Sequence, residues 1–393
     1  MMNKVNVAGV GMISFVKPGQ SEPYAVMGAE AARLALADAG LDYALVQQAY
    51  AEFVYGDSTC GQAALYDIGL TGIPIVNVNN NCSTGSTALF LARQAVASGT
   101  VDCALAVGFE QMNPGALGAV FEDRPNPLER FTDHAEEING PGEAPITLRL
   151  FGALGDEYMA RHGARGETFA KVRAKASHHA EHNERAIFRT PLSVEEVMAS
   201  PRMAGMLTRL QCCPPTCGAA AAVVCSQSFA KRHGLDTSVV ISGQAMTSDF
   251  PSTFDDRSMR KLVGADLAST AAAQVFEEAG VGPEEVDVVE LHDCFTTNEV
   301  ITYESLGLAA EGEAEKFVWD GDNTYGGQVV TNPSGGLLSK GHPLGATGLA
   351  QCFELVSQLR GQSGARQVEG ARTALQHNLG LGSACVVTMY QKA

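Results

Sequence analysis

The sequence predicts an α/β protein built from two related halves, with an inserted loop domain between them. Three observations lead to this fold class. The composition is that of an ordinary globular protein, with 45% hydrophobic and 18% charged residues. The length of 393 residues is more than a single hydrophobic core usually supports. A pattern of strand, helix and strand near the N-terminus occurs again in the second part of the chain, and a polar stretch interrupts it in between.

The first element of the repeat is an amphipathic helix. The segment AARLALADAGLDYALV at 31–46 occurs again as AAAQVFEEAGVGPEEV at 271–286. Each contains an Ala-Gly pair, at which Gly40 and Gly280 are expected to end the helix in the left-handed conformation. Short apolar segments before and after each helix predict strands. They are residues 5–11 and 47–53 in the first half and residues 239–245 and 286–291 in the second.

A second matched pair carries reactive side chains. The segment CSTGSTAL at 82–89 lines up with HPLGATGL at 342–349, and a longer loop in the second half absorbs the larger offset. Both segments open a helix, so the position of Cys82 corresponds to that of His342. If the halves are related by pseudo-twofold symmetry, the two helix starts approach one another and bring a thiol and an imidazole within reach.

The domain boundaries follow from where this rhythm breaks. We predict an N-terminal half at 1–112, an inserted loop domain at 113–204, and a C-terminal half at 236–393. The inserted stretch is polar and charged and contains helical segments such as 167–185. The apolar pattern then returns, and a buried strand within about 205–235 completes the first half.

Composition and charge argue against several partners and locations. The formal net charge of −17 opposes binding to nucleic acid or to an anionic membrane. No apolar stretch has the length that spans a bilayer, and the N-terminal segment has the pattern of a strand rather than of a signal peptide. The ten cysteines lie scattered in apolar runs, which is typical of reduced thiols. The chain does not end in a peroxisomal Ser-Lys-Leu signal, so we expect a bacterial cytoplasmic protein.

Cys82 is the first candidate catalytic residue. It lies between the predicted strand 73–79 and the predicted helix 87–98. The positive end of a helix dipole and free backbone N–H groups favour a thiolate at such a turn. By position alone, a nucleophile and a structural cysteine fit equally well. The repeat favours the nucleophile because it supplies His342, which can accept the thiol proton or donate a hydrogen bond to an oxyanion.

Two further segments carry candidate residues. His292 and Cys294 follow an apolar strand, at the end where ligand sites of α/β proteins collect, and they can point to one side if the chain is extended. As a zinc motif this pair is incomplete, so we predict no metal. Residues 376–382 read QHNLGLG, a glycine-rich turn. There Gly380 would let backbone N–H groups approach an oxyanion, although by spacing alone an ordinary tight turn is the preferred interpretation.

Together these segments resemble the thiolase superfamily along nearly the whole chain. Thiolases bring Cys-x-Ser, Asn-Glu-Ala-Phe, Gly-His-Pro and Cys-x-Gly loops to the active site. Here the first loop reads CST at 82–84 and the third reads GHP at 341–343, while the second reads HDCF at 292–295 and the fourth, NLG at 378–380, lacks its cysteine. Both departures are similar to the sterol carrier protein type of thiolase, in which the cysteine of the second loop replaces the missing one.

The resemblance implies a layered α-β-α-β-α fold and an acyltransferase that cleaves or forms 3-oxoacyl-CoA thioesters. The products would be acetyl-CoA or propionyl-CoA and a shortened acyl-CoA, in fatty acid or sterol side-chain degradation. It also implies a homodimer or a dimer of dimers, with coenzyme A as substrate and no cofactor. The site residues that it implies are Cys82 as nucleophile, His292 and His342 at one oxyanion hole, Cys294 as proton shuttle, and the N–H groups of Cys82 and Gly380 at a second hole.

Other functions remain open at this point. A decarboxylating ketoacyl synthase shares the nucleophilic cysteine but has no use for Cys294. A steroid side-chain retro-aldolase on a thiolase-like scaffold would be expected to have lost both cysteines, and fold analogy alone is a weak guide to function. A non-catalytic lipid-binding protein would have no need of four reactive groups.

Overall fold

The structure is a computed structural model that describes residues 3–115, 118, 121 and 123–393. The remaining residues of the predicted N-terminal half and loop domain lie outside the described part of the chain. Within the described residues, twelve strands form one large sheet and one two-stranded ribbon. The strands are β1 (Val5–Met12), β2 (Gln48–Glu52), β3 (Ile75–Val78), β4 (Cys103–Glu110), β5 (Arg202–Ala204), β6 (Leu207–Thr208), β7 (Gly218–Ser226), β8 (Val239–Thr247), β9 (Val288–Glu290), β10 (Val330–Thr331), β11 (Thr373–Gly380) and β12 (Ala384–Lys392).

Fifteen α-helices accompany these strands in the described residues. They are α1 (Tyr24–Ala39), α2 (Cys60–Leu65), α3 (Thr84–Ala97), α4 (Glu129–Asn139), α5 (Ile146–His162), α6 (Gly166–Ala180), α7 (Val194–Ala199), α8 (Gln227–His233), α9 (Ser252–Asp255), α10 (Met259–Leu262), α11 (Ala265–Ala279), α12 (Thr296–Ser305), α13 (Ala314–Asp320), α14 (Gly336–Ser339) and α15 (Thr347–Arg360). As predicted, Gly40 and Gly280 end α1 and α11 in the left-handed conformation.

The order of the strands confirms the duplication. The large sheet runs β10-β9-β11-β12-β8-β1-β7-β4-β2-β3, and a single registered pair, Asn6 with Val240, joins its halves at β1 and β8. From edge to centre the halves read β3-β2-β4-β7-β1 and β10-β9-β11-β12-β8. In both, the three outer strands are parallel to one another, and each of the two inner strands is antiparallel to the strand before it in this order. The two halves therefore have the same topology.

The helices complete the five layers of the predicted α-β-α-β-α arrangement. Helix α1 packs on β1 and β7, and α11 packs on β8 and β12, so these two helices form outer layers. Helices α3 and α15 lie between the half-sheets and contact strands of both. Every residue of α15 except Phe353 and Arg360 is buried, as expected of a helix that is covered on all sides.

Between β4 and β7 the chain leaves the half-sheet and forms α4 to α7 and the β5–β6 ribbon. Strand β7 then pairs with both β1 and β4. All of its residues, Gly218–Ser226, are buried. The segment thus returns the chain to the first half-sheet.

The predicted glycine-rich turn at 376–382 is wrong over most of its length. Strand β11 continues to Gly380, which pairs with Ala384 of β12, so the turn itself covers only 381–383. Residues 376–378 have low strand propensity. Pairing of all three with β12, and of Gln376 with β9 as well, nevertheless determines their conformation, because sheet context outweighs intrinsic preference.

Candidate active site

The N-termini of the two central helices meet, as the repeat predicted. A Cβ atom on Gly85 would lie 2.8 Å from the backbone nitrogen of Gly348, and one on Gly348 would lie 2.2 Å from the nitrogen of Ser86. These distances leave no room for a side chain, so the approach requires glycine at both positions. The loops before the two helices, which carry Cys82 and His342, are thereby brought together.

Three of the predicted site residues converge at this junction. One donor atom each from Cys82, His292 and His342 lies within 4.8 Å of the others. The two imidazole rings have their centroids 5.0 Å apart and stand nearly perpendicular, at 83°. Both histidines are buried, while Cys82 is partly accessible. A thiol and two imidazoles therefore face one small volume at the centre of the molecule.

The Cys82 thiol does not have the lowered pKa that its place at a helix start suggested. Although part of the residue reaches solvent, the thiol group is surrounded by protein, and burial raises its pKa to about 12. The nearby Glu110 carboxyl raises it further, and hydrogen bonds from the N–H groups of Cys82 and Leu381 only partly oppose these effects. Desolvation outweighs the helix terminus, so the resting group is a neutral thiol.

His342 has one occupied and one free ring nitrogen. Its Nδ1 lies 2.7 Å from the hydroxyl of Thr347, which also lies 2.9 Å from the carbonyl of Pro343. A hydroxyl that donates to the carbonyl accepts from Nδ1–H, which assigns the proton to Nδ1. The buried Nε2 has no partner among the described residues. Burial lowers the pKa of His342 to about 3, so Nε2 presents a lone pair.

His292 is held from three directions. Its carbonyl accepts from the Asn298 amide at 2.5 Å, its backbone N–H donates to Nδ1 of His377 at 3.4 Å, and its own Nδ1 lies 2.9 Å from Nδ2 of Asn378. Burial lowers its pKa well below the usual value, and the neighbouring rings of His342 and His377 add to this. His292 is therefore a neutral, firmly oriented ring.

Cys294 also belongs to this group of residues, together with a thiol that the sequence interpretation missed. Burial raises the pKa of Cys294 well above its usual value, and the neighbouring Cys213 and Cys82 raise it further. Cys213 is attached to the same loop, because its N–H donates to the carbonyl of Cys294 at 2.9 Å. The run CCPPTC at 212–217 was the available signal for it.

Gly380 lies where β11 reaches the Cys82 loop. A Cβ atom on it would lie 2.3 Å from the carbonyl oxygen of Asn80 and 2.8 Å from the hydroxyl of Ser83. Glycine is thus required for close approach, as expected. The backbone N–H next to the Cys82 sulfur comes from Leu381, the residue after it. Sequence reasoning did not single out Leu381.

Glu110 is a third residue that sequence reasoning missed. It ends the buried strand β4, and its carboxylate accepts hydrogen bonds from the N–H groups of Val54, Tyr55 and Gly345 at 3.2, 3.1 and 2.9 Å. It thereby ties β2 to the loop that opens α15. Burial raises its pKa to about 7. An acidic residue at the carboxyl end of an apolar strand was the available signal.

Buried acidic groups also connect the His292 and His342 loops. Asp293 accepts the N–H of Leu337 at 2.7 Å, at the start of α14. Lys340 and Glu290 form a fully buried ion pair at 3.0 Å. Removal of one partner of such a pair leaves an uncompensated charge, so these contacts fix one loop against the other.

The three convergent donors also bear on metal binding. Cysteine and two histidines are a ligand combination found in zinc sites, and their spacing would admit one ion. The same three residues could thus act as zinc ligands or as the groups of a covalent active site. Separately, among the described residues no helix combines the length and apolar character needed to cross a membrane.

Comparison with known proteins shows what this architecture is similar to. The family model described as "Thiolase, N-terminal domain" matches residues 5–228, and the one described as "Thiolase C-terminal domain-like" matches residues 252–391. Sterol carrier protein 2 of Rattus norvegicus is 53% identical over 392 residues, which cover 99% of this chain and 72% of that protein. The benzoylsuccinyl-CoA thiolase subunit BbsB of Thauera aromatica is 38% identical, with 96% and 95% covered.

A solved structure gives the same fold. The structure titled "Ltp2-ChsH2(DUF35) aldolase" superposes with a TM-score of 0.83 at 22% sequence identity, over 99% of this chain and 98% of that one. At this identity the likeness concerns the fold and leaves the reaction open.

Proposed function

We propose a reaction for this chain, which belongs to the thiolase family of acyltransferases. It cleaves 3-oxoacyl-CoA thioesters with coenzyme A and catalyses the reverse condensation. The products would be acetyl-CoA or propionyl-CoA and a shortened acyl-CoA, in fatty acid or sterol side-chain degradation. One observation carries the proposal: donor atoms of Cys82, His292 and His342 converge within 4.8 Å. The thiol is the nucleophile, and each imidazole has one nitrogen fixed by the protein.

The first step is attack of Cys82 on the 3-keto carbon. The thiol is neutral at rest because its pKa is about 12, so its proton must leave as the carbon–sulfur bond forms. The lone pair on Nε2 of His342 accepts it, while Nδ1–H stays bonded to Thr347. General base assistance of this kind activates thiols that are weak nucleophiles in their protonated form.

The second step breaks the Cα–Cβ bond and leaves the acyl group on Cys82. The departing fragment is an enolate whose thioester oxygen accepts hydrogen bonds from His292 and from the now protonated His342. One preorganised donor of this kind contributes about 3 kcal/mol, or roughly 10²-fold in rate. Cys294 protonates the enolate carbon, which releases the shorter CoA thioester.

The third step returns the enzyme to its starting state. The thiol of coenzyme A attacks the acyl-Cys82 carbonyl, and the Cys294 thiolate accepts its proton. The tetrahedral oxyanion lies at the N–H groups of Cys82 and Gly380, close to the Leu381 N–H beside the sulfur. As the intermediate collapses, the Cys82 sulfur leaves and recovers the proton held by His342.

The decisive experiment is a thiolysis assay with 3-oxoacyl-CoA substrates of graded chain length and branching. The wild type should consume substrate and coenzyme A and release a shortened acyl-CoA, and Cys82→Ala should abolish this while the circular dichroism spectrum is unchanged. Full activity of Cys82→Ala would overturn the proposal. Release of a carbonyl fragment without coenzyme A would indicate an aldolase, and CO₂ release from malonyl thioesters would indicate a condensing synthase.

We also propose that the enzyme works without a metal or other cofactor, in a reducing compartment such as the cytoplasm. The covalent mechanism uses all three convergent donors, which would leave none for an ion. All ten cysteines are free thiols in the structure, which supports a reducing environment. Prolonged treatment with a chelator should leave thiolysis unchanged. Loss of activity that zinc restores would contradict this proposal.

A further inference from the structure

Asn378 stands where related thiolase loops carry a cysteine, and it contacts two catalytic residues at once. It is fully buried on β11. Its Nδ2 lies 3.1 Å from the carbonyl oxygen of Cys82 and 2.9 Å from Nδ1 of His292. A single amide group therefore joins the nucleophile's backbone to the imidazole beside it.

The orientation of this amide follows from its partners. The Cys82 carbonyl can only accept a hydrogen bond, so the nitrogen of Asn378 must face it. On the other side, Oδ1 of Asn378 lies 2.8 Å from the hydroxyl of Ser86, which donates to it. The same nitrogen faces Nδ1 of His292, and because Nδ2 only donates, Nδ1 must be the acceptor.

The amide is held in this orientation by a chain of bonds through the core. Ser86 accepts from Nε2 of Gln376 at 2.7 Å, which directs its own proton to Asn378. That Gln376 nitrogen also donates to the carbonyl of Gly348 at 2.7 Å, and its Oε1 accepts from the hydroxyl of Tyr390 at 2.5 Å. Gln376 and Asn378 are two residues apart on β11 and thus share a face. Each amide in the chain has a carbonyl partner that excludes the flipped orientation.

We propose that Asn378 is a positioning residue that fixes the tautomer of His292, so that Nδ1 is unprotonated and Nε2–H points at the thioester oxygen of a bound acyl-CoA. A neutral imidazole carries one proton, and the accepting Nδ1 leaves it on Nε2. Thr347 imposes the opposite tautomer on His342, with the proton on Nδ1. The two adjacent histidines therefore have different roles, His292 as hydrogen-bond donor and His342 as base. This inference rests on the proposed thiolase function.

The groups around His292 leave this assignment undisturbed in the resting enzyme. The His292 ring faces the ring of His342, whereas Nδ1 of His377 accepts a hydrogen bond from the backbone N–H of His292. Burial keeps all three imidazoles neutral. Cys82 and Cys294 are neutral thiols because burial raises both pKa values. The carboxyl group of Asp293, whose pKa burial raises to about 8, is bound to the N–H of Leu337 rather than to the ring.

The tautomer can be read directly by nitrogen NMR of the enzyme with ¹⁵N-labelled histidine, in which protonated and bare ring nitrogens differ in chemical shift. The wild type should show the His292 resonances, assigned by loss in His292→Gln, as bare Nδ1 and protonated Nε2. In Asn378→Asp, a carboxylate replaces the donor, so the proton should move to Nδ1 or the ring should become an imidazolium. A wild-type His292 protonated on Nδ1 would overturn the proposal, whatever the enzyme's activity.

The pH dependence of the steady-state rate is a second measurement, and it would not change if Asn378 had only a structural role. Asn378→Asp should lower kcat about 10²-fold near neutral pH, the loss expected for one oxyanion donor, with a smaller change in KM. Its activity should also fall as pH rises through the new, raised pKa of His292, because only the imidazolium keeps Nε2–H in this variant. Exchange of the α-protons of acetyl-CoA, which needs the enolate, should suffer more than transfer of the acetyl group from acetyl-CoA to Cys82, which forms no enolate.

Asn183→Asp is the matched control for the cost of burying a carboxylate. Asn183 is buried and donates to the carbonyl of Ser334 at 2.8 Å, but it contacts neither His292 nor Cys82. The Asn183→Asp variant should be less stable than the wild type, but its activity should not show the additional fall with rising pH that is expected of Asn378→Asp. If Asn378→Asp fails to fold, Asn378→Ala decides instead, since a mixed tautomer supports the proposal and an unchanged one overturns it. Absence of thiolysis in the wild type would refute the proposed function and leave the tautomer result standing.

Discussion

At the scale of single residues, the balance between burial and local dipoles decides the state of the nucleophile. Motif and repeat identified Cys82, His292, Cys294 and His342, and the structure brings them together. The pKa of Cys82 could not be derived in the same way, because desolvation depends on everything that packs around the thiol. Asn378 was visible only as a missing cysteine, since its role depends on which atoms it faces.

The raised pKa of Cys82 makes a prediction about its chemical reactivity. Alkylation by iodoacetamide requires the thiolate, so the rate should keep rising about tenfold per pH unit from about pH 6 to about pH 9, with no plateau. Mass spectrometry of the Cys82 peptide measures this rate without interference from the other thiols, and Cys82→Ala supplies the background. A plateau below about pH 7 would show a preformed thiolate and contradict the neutral resting state.

At the scale of elements, the duplicated helices were predictable and their exact ends were not. The glycine caps at Gly40 and Gly280 have a local physical cause and were correct. Helix α3 begins at Thr84, earlier than the apolar pattern indicated, because its first turn is buried against α15 rather than exposed. The part of β11 from 376 to 380 was predicted as a turn, because its glycine-rich sequence gives no local sign of the strand pairing that extends β11 to Gly380.

The contact between α3 and α15 predicts an intolerance of side chains at the junction. Gly348→Ala would place a methyl group 2.2 Å from the backbone nitrogen of Ser86, which cannot give way as a flexible side chain would. The free energy of unfolding should fall by about 1–3 kcal/mol, measured by urea denaturation. Gly166→Ala is the control, because its nearest neighbour is the mobile end of Met198 at 3.5 Å. Equal effects of the two changes would argue against the tight junction.

At the scale of the whole molecule, each half supplies part of a site that neither contains alone. The first half contributes Cys82, the second contributes His292, Cys294 and His342, and the pseudo-twofold relation of the half-sheets places them opposite one another. Internal similarity was sufficient to predict that Cys82 and His342 meet, whereas the places of His292 and Cys294 beside them followed from the family resemblance. Acyl specificity was not predictable, because the shape of a substrate pocket depends on tertiary packing that local sequence patterns do not contain.

We propose that β3, the edge strand of the first half-sheet, pairs with a second copy of the chain. No other strand of the described residues pairs with this edge, Val76 on it is 39% exposed, and Leu70 nearby is 79% exposed. Light scattering should give the mass of two or four chains, and Val76→Asp should shift the protein toward one chain. Val26→Asp, at a comparably exposed position on α1, should leave the mass unchanged. A monomeric wild type would refute the proposal.

The proposed mechanism requires that Cys82 carries the acyl group during turnover. The most direct measurement is peptide mass spectrometry of enzyme that has been mixed with a 3-oxoacyl-CoA substrate and quenched in acid before coenzyme A is added. We predict that the acyl mass is found on the Cys82 peptide, disappears when coenzyme A is added first, and is absent in Cys82→Ala. Turnover of the same substrate with an unmodified Cys82, or with the acyl group on Cys294 or Cys213 instead, would contradict the account.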